Sequence, residues 1–350
     1  MNCILCKQEN FKIVSRVDSK NSSLLMVVLC NVCGMVQQNP LPSEGEVNEY
    51  YSNEYRQDYK KTYTPKIKHV FRAGNLAIER LKVLKKNGII NGRLLDIGAG
   101  GGEFTYISGK LGFNSKGVEP NIGYSEYGKK EYRINLDTGQ LADISGQFQL
   151  ITMFHVLEHI PNPVLTFEKL WKLIESDGSV FIEVPNIETN TASPHNIYFR
   201  AHIHYFSEAT LVASASPYFE KIYSEKNSNL RIIFRKKEIK GEMALPNLKQ
   251  VSHVTKRLED KGWNEYLIRG EGYKKFFLET VGTKLFIVQT DGHIKLIELS
   301  DYSNNEKKEI VVNKIDTNLN KLIEQGKTGQ ILDIAIYKNK LYASHFNFDS

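Results

Sequence analysis

With 350 residues, 41% of them hydrophobic and 25% charged, the chain has the composition of a folded protein long enough for one large domain with accessories, or for two. Its 46 basic and 40 acidic residues leave a net charge of +6, with no basic run interleaved with aromatics, so nucleic acid ranks below a small molecule as partner. No apolar run approaches a membrane span and no signal peptide opens the chain, so a cytoplasmic protein without membrane engagement is expected.

All four cysteines fall in the first 33 residues as two C-x-x-C pairs, Cys3/Cys6 and Cys30/Cys33. Two such turns can present four thiolates to one tetrahedral zinc, and β-rich segments at Lys12–Val17 and Leu24–Leu29 would form the hairpin between them. Disulfides and a redox pair are the competing readings, both disfavoured by a reducing compartment and by the duplication. Four thiolates close the coordination sphere, so the expectation is a zinc ribbon over 1–40 with a structural Zn2+. From 41 to 90 follows a helical linker and cap rich in tyrosine, with Tyr50, Tyr51, Tyr55, Tyr59 and Tyr63 suited to one face of a helix over a ligand or to plain packing. A helix is expected over Val70–Lys86, with Leu76, Ala77, Leu81 and Leu84 inward and its lysines and arginines opposite.

Strand and helix then alternate. Strands are expected at Leu94–Ile97, Ser115–Glu119, Phe148–Phe154 and Ser179–Val184, and helices at Phe104–Leu111, Tyr124–Tyr132 and Val164–Ile174. This predicts an α/β, Rossmann-like domain over 91–237, closed by antiparallel strands near Tyr218–Ser224 and Asn229–Lys236. The first strand breaks into glycines, LLDIGAGGG, where Gly98, Gly100 and Gly102 let a ligand approach the main chain at a helix start. A dinucleotide fingerprint would need glycine where Glu103 stands, and Asp96 with Glu103 would repel a pyrophosphate. A ligand with an amino group, a positive sulfur and no phosphate suits these acids, which points to S-adenosylmethionine. Glu119, at the tip of the next strand, is placed to accept both ribose hydroxyls. A dinucleotide site and a chance glycine-rich turn are the competing readings.

The ordered motifs DIGAGGG, GVEP and FQLITMFHVLEHIPNP resemble the class I methyltransferases that use S-adenosylmethionine. That resemblance implies that Gln140 and Leu141 serve the adenine, with Asp143 nearby, and that His155 lies beside the transferable methyl. Gln149 stands where many relatives have aspartate. At helical spacing His155 and His159 could share one face and hold a metal, but no third ligand is evident, and hydrogen bonding at a helix start is the expected role of Glu158 and His159. The zinc ribbon, the segment Tyr198–Ser207 with its H-x-x-Y-F-S pattern, and Ser228–Arg231 further resemble the sugar C-methyltransferases. The resemblance implies that His202 is the base. The family's tyrosine position carries Phe199, with Tyr198 adjacent as the substitute. A base at this point suits removal of a proton beside a ketone, and equally an oxygen acceptor.

A helical linker is expected over 238–280. Over 281–350 lies a β-rich tail with hairpins at Thr283–Leu299 and Ile331–Phe346, too short for a closed propeller and read as an incomplete or fused segment. The expected function is methyl transfer to a small molecule, first a nucleotide-linked or polysaccharide sugar, methylated on carbon or oxygen. RNA methylation and a non-catalytic scaffold are the alternatives. A homo-oligomer is left open.

Overall fold

The computed structural model describes residues 2–49, 64–189, 192 and 196–262, together with the backbone of four strands between 284 and 346. The chain divides into two compact units, Met1–Lys261 and Gly262–Ser350. The first opens with β1 (Phe11–Val17), β2 (Leu24–Cys30), β3 (Val36–Gln38) and the short helix α1 (Glu44–Glu49). It continues through α2 (Ile67–Lys86), β4 (Gly92–Ile97), α3 (Glu103–Lys110), β5 (Phe113–Glu119), α4 (Ile122–Tyr132) and β6 (Leu136–Thr138). Next come β7 (Phe148–Phe154), α5 (Pro163–Leu173), β8 (Ile174–Pro185), β9 (His204–Tyr205) and α6 (Glu208–Ala215), and it ends with β10 (Phe219–Lys226), β11 (Asn229–Lys236) and α7 (Leu248–Glu259).

Seven of these strands form one sheet in the order β10-β11-β8-β7-β4-β5-β6. The strands from β4 to β8 pair in parallel, and β11 and β10 close the edge antiparallel. Its residues alternate between two cores. Leu94, Leu150, Phe181 and Ile233 pack with Leu81 and Leu84 of α2, while Leu95, Ile151, Ile182 and Ile232 pack with Phe167 and Leu170 of α5. Burying each such side chain contributes roughly 1.5–3 kcal/mol, so a sheet apolar on both faces requires helices on both. Chain order reverses between β4 and β7, which opens a crevice at their carboxyl ends.

Among the described residues the strands and helices expected between Lys12 and Lys236 are present, most of them starting one to three residues before the expected position. The expectation missed β6, a strand of only three residues, and β3 and β9, which are shorter than any periodicity can reveal. It also placed Arg80 on the solvent side of its helix. In the structure Arg80 is 8% exposed and lies on the buried stripe with Ala77, Leu81 and Leu84, because a buried carboxylate awaits it.

The N-terminal hairpin is not closed on itself. Its antiparallel sheet runs β1-β2-β3-β9, with Val36 opposite Tyr205 and Gln37 opposite His204, so the last strand comes from beyond β8. The cysteines converge at one end: Sγ of Cys3 and Cys33 lie 3.5 Å apart, as do those of Cys6 and Cys30. Each C-x-x-C turn closes by a backbone bond, Lys7 N–H to Cys3 O and Gly34 N–H to Cys30 O, with Lys7 and Gly34 in the left-handed region. Cys3, Leu5, Cys33 and Met35 share a core with Phe206 and Leu211.

The tyrosine helix expected at Tyr50–Tyr63 lies outside the described residues. In the second unit, β12 (Lys284–Val288) pairs antiparallel with β13 (Ile294–Glu298), and β14 (Gln330–Tyr337) with β15 (Lys340–Phe346). The two strand pairs fall within the segments where hairpins were expected, Thr283–Leu299 and Ile331–Phe346.

Candidate active site

A cleft of about 500 Å³ opens at the carboxyl ends of β4, β5 and β7. Its floor is the turn after β4. Gly98, Gly100 and Gly102 all have φ in the left-handed region, at +71°, +58° and +87°. A Cβ on Gly98 would strike Val156 and one on Gly102 would strike Ile134, whereas one on Gly100 would project into open space. The first and third glycines therefore let the turn close, and the second leaves the main chain bare toward the cleft. Gly128 lets α4 approach, since a Cβ there would stand 2.6 Å from the Gly101 carbonyl oxygen.

Glu119 ends β5 at the cleft wall and is 3% exposed. Its Oε2 accepts from Gly100 N–H at 2.9 Å and its Oε1 from Asn121 N–H at 3.0 Å, so main-chain donors preset the carboxylate. Asn121 also caps α4 by accepting from Tyr124 N–H at 3.1 Å. Gly139, Gln140 and Leu141 line the opposite side, where the Leu141–Asp143 turn closes as Asp143 accepts from Gln140 N–H at 2.9 Å.

Asp96, in contrast, is not among the cleft-lining residues. Its carboxylate is 2% exposed and accepts from Thr152 Oγ1 at 2.8 Å and Thr105 Oγ1 at 3.0 Å, which ties β4 to β7 and α3. Burial pushes its pKa up to about 6, against the two hydroxyl bonds. Gln149, the departure noted in the sequence, supports the foot of β4 by accepting from Arg93 N–H at 2.9 Å.

His155 lies at the end of β7 with φ +57°, a strained conformation for a non-glycine residue, and turns its ring into the cleft. Its Nδ1 is 3.3 Å from Glu158 Oε1 and its Nε2 is 3.2 Å from Glu183 Oε1. Partial desolvation works against a charge on this ring, yet the two carboxylates prevail and raise its pKa to about 9. Glu183, fully buried, is also gripped by Arg80 through two bonds of 2.9 and 3.0 Å, by Arg231 at 2.8 Å and by Asn229 at 3.1 Å. Arg80 and Glu183 are site residues that the sequence analysis missed. The available signal was a basic residue three positions after Ala77, within the apolar stripe.

His202 and Tyr198 do not reach the cleft wall. His202 packs edge-on to His159 with centroids 4.9 Å apart and lies 4.0 Å from the Phe199 ring. Burial, with the neighbouring His159, His155 and Lys20 charges, holds its pKa well below the usual range. Tyr198 packs against Tyr205 on the side of the N-terminal sheet. The imidazoles that line the cleft besides His155 are His159 and His69. For His159, the orientation is set by the backbone. Its Nδ1 donates to Ala201 O at 2.7 Å, which turns Nε2 toward Glu158.

Parts of the chain are similar to known proteins. Residues 68–215 match a family model described as a methyltransferase domain. A ubiquinone biosynthesis O-methyltransferase of Pseudomonas aeruginosa is 26% identical over 111 residues, 29% of this chain and 48% of that protein. One from Actinobacillus pleuropneumoniae is 27% identical over 115 residues, again 29% of this chain and 49% of its own. The chain thus spans about half the length of the curated relatives it matches. Among solved structures, a Burkholderia thailandensis 1,6-didemethyltoxoflavin-N1-methyltransferase with bound S-adenosylhomocysteine aligns with 16% identity and a TM-score of 0.45, over 58% of this chain and 96% of that one. Magnesium protoporphyrin IX methyltransferase from Synechocystis PCC 6803 aligns with 12% identity and a TM-score of 0.44, over 56% and 100%. Together with the strand order and the glycine turn, the family match identifies residues 68–215 as a methyltransferase domain of class I, the S-adenosylmethionine-dependent kind.

Proposed function

We propose that the chain transfers a methyl group from S-adenosylmethionine to a small-molecule acceptor, with a nucleotide-linked or polysaccharide sugar as the first class to test. The observation that carries this reading is the shared cleft: the bare Gly100 backbone and the preset Glu119 carboxylate face the same space as His155 and His159. The site suits the cofactor chemically. Gly98–Gly102 would cradle the amino-acid part, Glu119 the ribose hydroxyls, and Gln140 and Leu141 the adenine. S-adenosylmethionine, when bound, supplies a methyl on a positive sulfur that keeps the electron pair of the broken bond as the acceptor bonds to carbon. The protein's part is to orient the acceptor at the His155 end, exclude water there, and ease loss of the acceptor's proton through the imidazole–carboxylate cluster. His202 acts in this scheme as a positioning residue behind His159. That the matched relatives are O-methyltransferases supports oxygen as the alternative to a carbon acid.

The four cysteines complete the proposal. Bonds of about 2.3 Å from a tetrahedral zinc put thiolates about 3.8 Å apart, close to the 3.5 Å separations found, so a structural Zn2+ is assigned to Cys3, Cys6, Cys30 and Cys33. Calorimetry with S-adenosylmethionine and with NAD tests the central reading. Binding of the first alone, weakened about 10- to 100-fold in Glu119→Ala, is expected from the loss of hydrogen bonds to a charged group. NAD binding would overturn it. A screen of keto-sugar nucleotides with isotopically labelled cofactor then tests the acceptor.

A further inference from the structure

Glu158 stands out among the buried groups. It is 1% exposed, and neither of its carboxylate oxygens takes part in a hydrogen bond among the described residues. Yet three imidazoles surround Oε1: His155 Nδ1 at 3.3 Å, His159 Nε2 at 3.8 Å and His202 Nε2 at 4.0 Å. His155 supplies one partner for this charge, and the imidazoles of His159 and His202, at 3.8 and 4.0 Å from the same oxygen, complete a cluster of the kind that holds a divalent cation.

We propose that Glu158, His159 and His202 form a binding site for a divalent first-row transition-metal ion, zinc or a close neighbour, with an open coordination position toward the cleft. One ligand atom from each lies within 4.8 Å of the other two. Around a tetrahedral ion with bonds of 2.0–2.2 Å, neighbouring ligands stand about 3.4 Å apart, so small turns of the two rings close the shell. His159 is oriented as metal-binding histidines are: its Nδ1–H is committed to the Ala201 carbonyl, which turns Nε2 toward Glu158. The backbone holds the two halves of the site in register, because Ile203 N–H donates to Glu158 O at 2.9 Å and Gln38 Nε2 donates to His202 O at 2.9 Å.

Two imidazoles and one carboxylate favour zinc, iron, cobalt or manganese over magnesium or calcium, and three protein ligands leave a position for an exogenous oxygen. His159 lines the cleft, so that position faces the acceptor end. Resting on the methyltransferase reading, this names the acceptor class: a molecule with a hydroxyl or keto oxygen at or beside the methylated atom, whose acidity the ion would raise. The C-x-x-C site lies elsewhere and is built from thiols, so the two ions are chemically distinguishable.

The test uses the full chain, loaded with zinc and desalted, with metal content measured for wild type, Glu158→Gln and His202→Ala. Wild type should hold about one ion per chain more than either variant. In cobalt-substituted protein the weaker visible band of a nitrogen–oxygen site should vanish in the variants while the intense thiolate band persists. Affinity for S-adenosylmethionine, read by calorimetry, should stay within about twofold, because none of these side chains touches the cofactor part of the cleft. Equal metal content in wild type and variants would overturn the metal site while leaving the cofactor reading intact. Loss of cofactor binding by the wild type would overturn the methyltransferase reading instead. If a variant fails to fold, zinc titration of the wild type decides: a single binding event, accounted for by the thiols, refutes the proposal.

Discussion

Removing Arg80 should destabilise the protein more than any other single loss of charge at the cleft. Its guanidinium is 9% exposed and makes a forked pair with Glu183, which is 0% exposed, at 2.9 and 3.0 Å. Taking one partner from such a pair leaves an uncompensated buried charge, at a cost of roughly 3–5 kcal/mol. Arg231 still donates to Glu183 at 2.8 Å, which argues for the lower end, about 3 kcal/mol. Arg80 also lies 4.0 Å from the centroid of Phe154, a contact worth roughly 0.5–2 kcal/mol. Arg80→Ala should therefore lose about 3–4 kcal/mol in urea unfolding followed by circular dichroism, and Arg80→Lys less, since it keeps the charge without the fork. The pH dependence has a definite sign. Burial alone would raise the Glu183 pKa, but His155 and Arg80 hold it far below the ordinary 4.5. A depressed carboxylate contributes stability that is present above its ordinary pKa and lost as pH falls toward the folded value. In the variant Glu183 protonates earlier, so the gap between the two proteins should narrow below about pH 4. A difference under about 1 kcal/mol at neutral pH would refute the reasoning and mean that Arg231 and His155 compensate Glu183 unaided.

Asp96 gives the opposite pH signature. Its pKa is raised to about 6, so the folded state holds the proton more tightly and stability falls as pH rises from the ordinary 3.8 to that value. Relative to Asp96→Asn, wild type should lose on the order of 2–3 kcal/mol between about pH 4 and pH 7, read from denaturant midpoints; parallel curves would contradict this. Gly98→Ala places a Cβ in the left-handed region, which costs about 1–2 kcal/mol, and drives it against Val156 at the cleft edge. Affinity for S-adenosylmethionine should drop at least about tenfold, and normal calorimetric binding would show that the turn adjusts. Chelating the proposed zinc from the cysteines should raise hydrogen exchange at 24–38 and, because β9 pairs with β3, at 203–206 as well. Unchanged exchange at the second segment would show that the two are uncoupled.

How much the sequence revealed follows from which interactions are local. The turn DIGAGGG was legible because positive φ at Gly98, Gly100 and Gly102 is a property of the residues themselves, and Glu119 because it ends a run of strand pattern. The parallel sheet followed from alternation of periods. Asp96 was assigned to the ligand because an acid beside a glycine turn suits a cation, but Thr105 and Thr152, one on the next helix and one on the next strand, claim it. The same limit hid the third ligand near Glu158. His155, Glu158 and His159 are neighbours in sequence, whereas His202 arrives through a loop and a two-residue strand that carry no periodic signal.

That loop explains why a cysteine-bound hairpin accompanies this domain. Between Tyr198 and Ile203 the chain has no regular structure, so its backbone groups need partners from elsewhere. The N-terminal sheet supplies them: Gln38 Nε2 donates to the carbonyls of Arg200 and His202, Asp18 accepts from Arg200 N–H at 2.7 Å, and Ser19 bonds Tyr198 on both its N–H and its carbonyl. Gln38 and Asp18 are themselves 6% and 3% exposed, polar groups whose burial is tolerable only because these bonds form. The hairpin therefore acts on the site through geometry. By fixing Ala201 and His202 it sets the tautomer of His159 and the distance of both rings from Glu158. Methyl transfer from an electrophilic donor asks chiefly for orientation of the acceptor. A rigid platform behind the acceptor end serves that need without any hairpin residue touching the reacting atoms.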